Sequence, residues 1–139
     1  ETTAEAFDAD KKAFDKEYGN YLLAIVQTNL LVWANGQTAL EAKVNVLGGK
    51  YQERLNDASS QGKPTATGQT YINTYQAGKT TAQGLTADAL KLTTAVKPGE
   101  YNANRSVLKT YYTKMETAHK ELEKSIKAAS DLATVMSTL

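Results

Sequence analysis

Apolar residues recur along most of this chain at alternating steps of three and four, the spacing of one face of an α-helix. The clearest row is Leu108, Tyr112, Met115, His119, Leu122, Ile126, Ala129, Ala133 and Met136. A second row runs Tyr71, Tyr75, Gly78, Ala82, Leu85, Ala89, Leu92 and Val96, and its small members allow a neighbouring helix to approach closely. Leu40, Val44, Leu47, Tyr51 and Leu55 make a third. Near the start the triplet Ala-Phe-Asp occurs twice, at Ala6-Phe7-Asp8 and Ala13-Phe14-Asp15, one heptad apart.

Three breaks interrupt these rows: Asn35-Gly36, the Ser/Gly/Thr/Pro-rich stretch 59–68, and Lys97-Pro98-Gly99. They divide the chain into helices expected at about 3–34, 38–58, 69–96 and 104–137. Thr2 with Glu5 and Thr38 with Glu41 have the spacing of capping boxes at the first two starts. Gly48-Gly49 is the weak point of the second helix, since each glycine costs about 1 kcal/mol relative to alanine in a helix interior. Gly84, followed by Thr86-Ala87-Asp88, leaves the third helix either continuous or split into two. The expected fold is all-α: one domain over residues 1–139, an antiparallel four-helix bundle (up-down-up-down) with long first and last helices. A coiled-coil oligomer is the alternative. In the up-down-up-down order the first helix starts, and the last ends, at the same end of the bundle.

The apolar stretch that begins at Tyr21 and ends at Ala34 covers more than one helical face. It is interrupted by Gln27-Thr28-Asn29 and so falls short of the roughly 18 apolar residues of a membrane helix. Packing in the core accounts for it, yet it carries more apolar surface than three neighbouring helices obviously cover, and self-association would bury the remainder. Leu30, Leu31 and Trp33 are therefore candidates for an interaction surface. Thr28 and Asn29 are read as register-fixing polar residues or as the mark of a cavity.

Composition narrows the chemistry. The 139 residues contain no cysteine and one histidine, which removes thiol nucleophiles, thiolate metal sites and most multi-histidine sites. Sixteen basic and fifteen acidic side chains leave a net charge of +1, and only Arg54 and Arg105 are arginines, so nucleic acid is not expected as a partner. Glu116-Thr-Ala-His119 matches the Glu-x-x-His element of di-metal bundles, but a second such element needs a second histidine. Glu116 and His119 are accordingly read as structural, with His119 a core-edge imidazole, and no metal, cofactor or catalytic residue is assigned. Gly78-Lys79-Thr80 lacks the glycine of a phosphate-binding loop, for which Asn73 stands instead. Asn104-Arg105-Ser106 fits the three-residue glycosylation acceptor, a pattern of low specificity.

Eight tyrosines against two phenylalanines stand out. Tyr71, Tyr75 and Tyr112 fall on the apolar rows and are expected in the core. Tyr101 and Tyr111 fall off them and are expected on the surface as contact residues. The chain opens at Glu1 and is rich in threonine, alanine and tyrosine, which fits a mature extracytoplasmic protein, secreted or at the cell surface. The function expected is a non-enzymatic helical module that binds a protein partner or self-associates through a helix face, without a cofactor and with no membrane-spanning segment of its own. Two alternatives stand beside it: a ligand-binding sensor domain held near a membrane by anchors outside the chain, and a subunit of a larger or pore-forming assembly using residues 21–34.

Overall fold

A computed structural model describes residues 3–138. The described chain is all-helical, and four α-helices pack together: α1 (Thr3–Ser60), α2 (Ala66–Ala95), α3 (Pro98–Ala103) and α4 (Lys109–Met136), with a 3-10 turn over Arg105–Leu108. Two of the expected breaks are real. At the first, Gly62 takes the left-handed conformation (φ +74°) that a glycine adopts freely, and the Lys63 N–H reaches back to the Ala58 carbonyl oxygen at 3.0 Å, closing α1. At the second, Pro98 opens α3 and the Glu100 carboxylate accepts the Lys97 N–H at 2.9 Å. The Asn104 side chain then accepts the Ser106 N–H at 2.9 Å and starts the 3-10 turn that leads into α4.

The third break is absent. Helices expected at 3–34 and 38–58 are one helix of 58 residues that runs through Asn35-Gly36 and Gly48-Gly49. At 1.5 Å per residue it spans about 87 Å. Thr38 does not cap a new helix; its hydroxyl donates to the Ala34 carbonyl oxygen at 3.0 Å, one turn back. Continuity wins because the residues around the glycines are held by tertiary packing: Ala34, Gln37, Glu41, Val44 and Gly48 are all buried. α2 likewise passes through Gly84 without a break. The capping pattern at Thr2 lies outside the described residues.

Five layers of core fix the directions of the three long helices. Leu23 meets Val96, Tyr101 and Leu108; Leu30 and Ala34 meet Ala89 and Met115; Leu40 borders Ala82, Ala118 and Leu122; Val44 meets Tyr75, Ala128 and Ala129; Leu55 meets Ile72, Leu132 and Met136. α1 and α4 thus run in one direction and α2 returns between them, up-down-up. The first buried layers of α1 and the last of α4 lie at opposite ends, so the expectation that the first and last helices share an end is not met.

The rows of apolar residues give only half of the positions that turn inward. On α4 and the turn before it, Leu108, Met115, Leu122, Ala129 and Met136 are buried as expected, but the residues between them include Ala118, Ser125 and Leu132, not His119, Ile126 and Ala133. On α2 the buried set contains Ile72, Thr86 and Thr93 where the apolar row predicts Tyr71, Leu85 and Leu92. In most cases the smaller neighbour faces in. The reason is the closeness of α2 to α4: a Cβ placed on Gly78 would overlap the Ser125 hydroxyl oxygen and lie 2.9 Å from the Glu121 carbonyl oxygen. At that separation Ser125 fits and Ile126 does not.

Candidate functional site

Seen along its length, α1 has two faces. Its buried face repeats with the heptad: Leu23, Leu30, Gln37 and Val44 are spaced in sevens and the half-buried Tyr51 and buried Ala58 continue the series, with Ala34, Glu41, Gly48 and Leu55 between them. Its outer face carries a second heptad row, Phe7, Phe14, Tyr18, Tyr21, Ile25 and Val32, continuing through Ala39, Ala42, Val46 and Gly49, with the polar Lys11, Thr28 and Asn35 at its remaining positions. Tyr21 and Val32 each stand two positions from a buried leucine, about 200° round the helix. That face is open: Phe7 and Phe14 are 69% exposed, Tyr21 64%, Val32 66% and Val46 62%.

Every residue from Thr3 to Tyr18 is exposed, and Gly19 is the first buried position of α1. Its backbone meets Asn102 of α3, whose amide nitrogen donates to the Lys16 carbonyl oxygen at 3.5 Å. Before that point the side chains of the helix are exposed as it projects beyond the bundle; the rings of Phe14 and Tyr18 stack with centroids 6.2 Å apart. So short a length of helix standing off the bundle is marginal in water, and bare phenylalanines add nothing to its stability. Past Gly36 the same face is lined by small residues, and a Cβ on Gly36 or Gly49 would have nothing within 4 Å. Neither glycine is required by any packing among the described residues.

Charge divides this face into two halves. Asp8, Asp10, Asp15 and Glu17 flank the aromatic half; Lys43 and Lys50 flank the small-residue half, with Arg54 beyond. None of these seven forms an ion pair among the described residues, although Asp15 lines a shallow depression with Arg105. α4 differs: Lys114 pairs with Asp88 of α2 at 2.9 Å, and Lys120 with Glu116 and Lys127 with Asp131 at 2.7 Å.

The residues singled out from sequence scatter. Leu31 is 38% exposed and borders the outer face, but Leu30 is 1% exposed core. Trp33 is half-buried against the Leu30 layer and lines a shallow groove with Gln37, Leu40 and His119. Tyr101, expected on the surface, is buried with Leu23 and Leu108, and Tyr111 packs half-buried across the first two layers. Tyr112, expected in the core, is 38% exposed. The reversals of Tyr111 and Tyr112 follow from α4 presenting residues 111 and 118 inward instead of 112 and 119, and Tyr101 is drawn in because α3 packs on α1 beside Leu23. His119 is likewise exposed, with its Nε2 3.6 Å from the Glu123 carboxylate instead of at the core edge. Glu116 is bound to Lys120, whose hydrogen bond and charge hold its carboxyl below the ordinary range. Among the described residues no three histidine or acidic side chains are grouped as a metal site would require.

Polar residues do fix the register of α1, though not Thr28 and Asn29, which are exposed. Gln27 donates to the Thr93 carbonyl oxygen at 2.8 Å, and Gln37 to the Thr86 hydroxyl at 3.2 Å. Glu41 is 5% exposed and one of its oxygens, Oε1, has no hydrogen-bond partner among the described residues. Burial raises its pKa, opposed by a hydrogen bond from Gln83 and by the charge of Lys79. This row lies between packed helices, with Gln37 at the edge of the shallow groove beside Trp33. The sequence signal that points to the outer face is the heptad repeat of Phe7 and Phe14, a period that does not say which side is covered.

No helix among the described residues is long and apolar enough to cross a membrane. No protein-family model matches the chain, and neither a curated protein nor a solved structure matches it.

Proposed function

We propose that this protein is a non-enzymatic helical module that works by binding or assembly through the outer face of α1. The observation that carries this is the exposed heptad row from Phe7 to Val46, opposite the core and continued onto a segment whose side chains are all exposed. Large apolar rows of this kind mark interaction surfaces. A partner helix seated there would complete a four-helix arrangement in which α1 lies between its own α2 and α4 and the incoming helix. The composition, rich in threonine, alanine and tyrosine, is the ground for placing this work outside the cytoplasm.

An assembly built on residues 21–34 is the second reading, favoured by the exposure of Tyr21, Ile25, Leu31 and Val32 within that stretch. Both require the face to be open in the single chain. Hydroxyl-radical footprinting of a dilute sample, at a concentration where light scattering gives one chain, tests this. Phe7, Phe14 and Tyr21 are expected to be labelled strongly and Tyr75 and Tyr101 weakly. Protection of Phe7 and Phe14 in the single chain would mean that the segment folds back on its own bundle, and the proposal would fail.

A further inference from the structure

The two halves of the outer face of α1 complement each other, and from this we infer that its partner is a second copy of the same chain, laid antiparallel along it. The inference rests on the reading above and adds the identity and register of the partner.

In an antiparallel pair of heptad helices, core positions of one strand face core positions of the other, and the flanking positions pair with their own kind. Setting Phe14 against Val46 of the second copy places Tyr18 on Ala42 and Tyr21 on Ala39, large side chains on small ones, and brings Phe7 at the end of the pair to the aliphatic stem of Glu53. The one charged residue within the aromatic row, Lys11, then falls on Gly49, where only backbone stands beneath its stem. The same register puts Asp8 beside Lys50 and Asp15 beside Lys43, twice over by symmetry, and places Asp10 by Gln52 and Glu17 by Asn45, with no like charges apposed among the described residues. Leu31 meets itself near the two-fold axis.

Other arrangements fare worse. Sliding by one heptad in one direction leaves Asp15 against Gly36, and in the other sets Asp8 against Asp57. A parallel pair stacks Lys11 on Lys11 and brings Asp10 to Asp15. Area is sufficient too. At 150–250 Å² per aromatic side chain, the four aromatics at their exposures contribute on the order of 1,000 Å² from two copies before any aliphatic residue is counted. A stable interface buries roughly 1,200–2,000 Å². The antiparallel pairing also covers the projecting residues 3–18 with the second half of the partner's α1, and gives Gly36 and Gly49 a reason to be small.

The test is charge reversal at exposed positions that the fold does not use. Asp8→Lys with Asp15→Lys gives one variant, and Lys43→Asp with Lys50→Asp gives another. Sedimentation over a concentration series is expected to show a wild-type dimer, at least a tenfold weaker association for each variant alone, and restored dimers when the two variants are mixed, since the mixture pairs lysine with aspartate at every site. A wild type that stays a single chain up to millimolar concentration overturns the inference while leaving the footprinting result to decide the binding function. A dimer indifferent to both reversals and to their mixing overturns the register and the inference with it.

Discussion

The hydroxyl of Tyr75 donates to the carbonyl oxygen of Val44 at 2.5 Å, and the tyrosine ring lies against Gly48, one turn further along α1. A Cβ on Gly48 would overlap the ring. The glycine that weakens α1 as an isolated helix is therefore what lets α2 dock on it, and the docking holds the helix continuous through Gly48-Gly49.

Gly48→Ala is accordingly expected to destabilise the fold by about 1–3 kcal/mol through overpacking, against the small gain that alanine gives in an open helix. Tyr75→Phe keeps the ring and loses one hydrogen bond, a cost of about 0.5–1.5 kcal/mol. Urea denaturation of both variants measures this, and a Gly48→Ala protein as stable as wild type would show that the Tyr75 ring does not lie against Gly48.

Gly84→Ala should do the opposite. The position is helical and exposed, and a methyl group there would have nothing within 4 Å. A gain of about 0.5–1 kcal/mol is expected from the lower backbone entropy of the unfolded chain and the better helix propensity. Thermal or urea denaturation reads the sign directly, and a loss would mean that α2 breaks there after all.

Leu30 and Leu31 are adjacent and chemically identical, yet their environments differ, 1% against 38% exposed. Leu30→Ala is expected to cost about 2–5 kcal/mol and Leu31→Ala to stay within about 0.5 kcal/mol in the single chain. Leu31→Glu should fold, as judged by circular dichroism, and associate more weakly than wild type by sedimentation, because two carboxylates would meet near the axis of the pair.

Glu41 gives a pH dependence with a definite sign. Its carboxyl titrates above the ordinary value of 4.5 in the folded protein, chiefly because burial disfavours the charge. The folded state therefore holds this proton more tightly than the unfolded chain does, ionisation at neutral pH costs stability, and the cost is relieved as pH falls through the folded pKa towards 4.5. Glu41→Gln removes the charge, so it is expected to raise the melting temperature at pH 7 by about 2–5 °C and to lose that advantage as the pH approaches the carboxylate's ordinary range. Melting curves of both proteins across that interval decide it; a gap independent of pH would assign the difference to packing.

Much of the fold was legible in the residues themselves. Helices at 69–96 and 104–137 came within a few residues of α2 and α4, because Lys97-Pro98-Gly99 ends one helix by local chemistry alone, a proline without an N–H and a glycine beside it. Asn35-Gly36 resembled such a stop and is not one, since neither residue forbids helical geometry and packing on both sides holds the backbone in it. The candidate site was legible only in its period. Phe7 and Phe14 announced a heptad, but whether a heptad row faces a core or open solvent depends on what lies across from it, and that is not a property of the row.

Sequence by itself determined the all-helical class, the turns around Gly62 and Pro98, and the seven-residue periodicity, because propensity, capping and spacing act over a few neighbouring residues. Tertiary structure alone decided that one helix runs through its glycines, that Ser125 and Thr93 turn inward while Ile126 and Leu92 turn out, and that α1 keeps an apolar face uncovered. Those outcomes depend on how closely α2 approaches its neighbours at Gly48 and Gly78, a distance set by residues far apart in the chain.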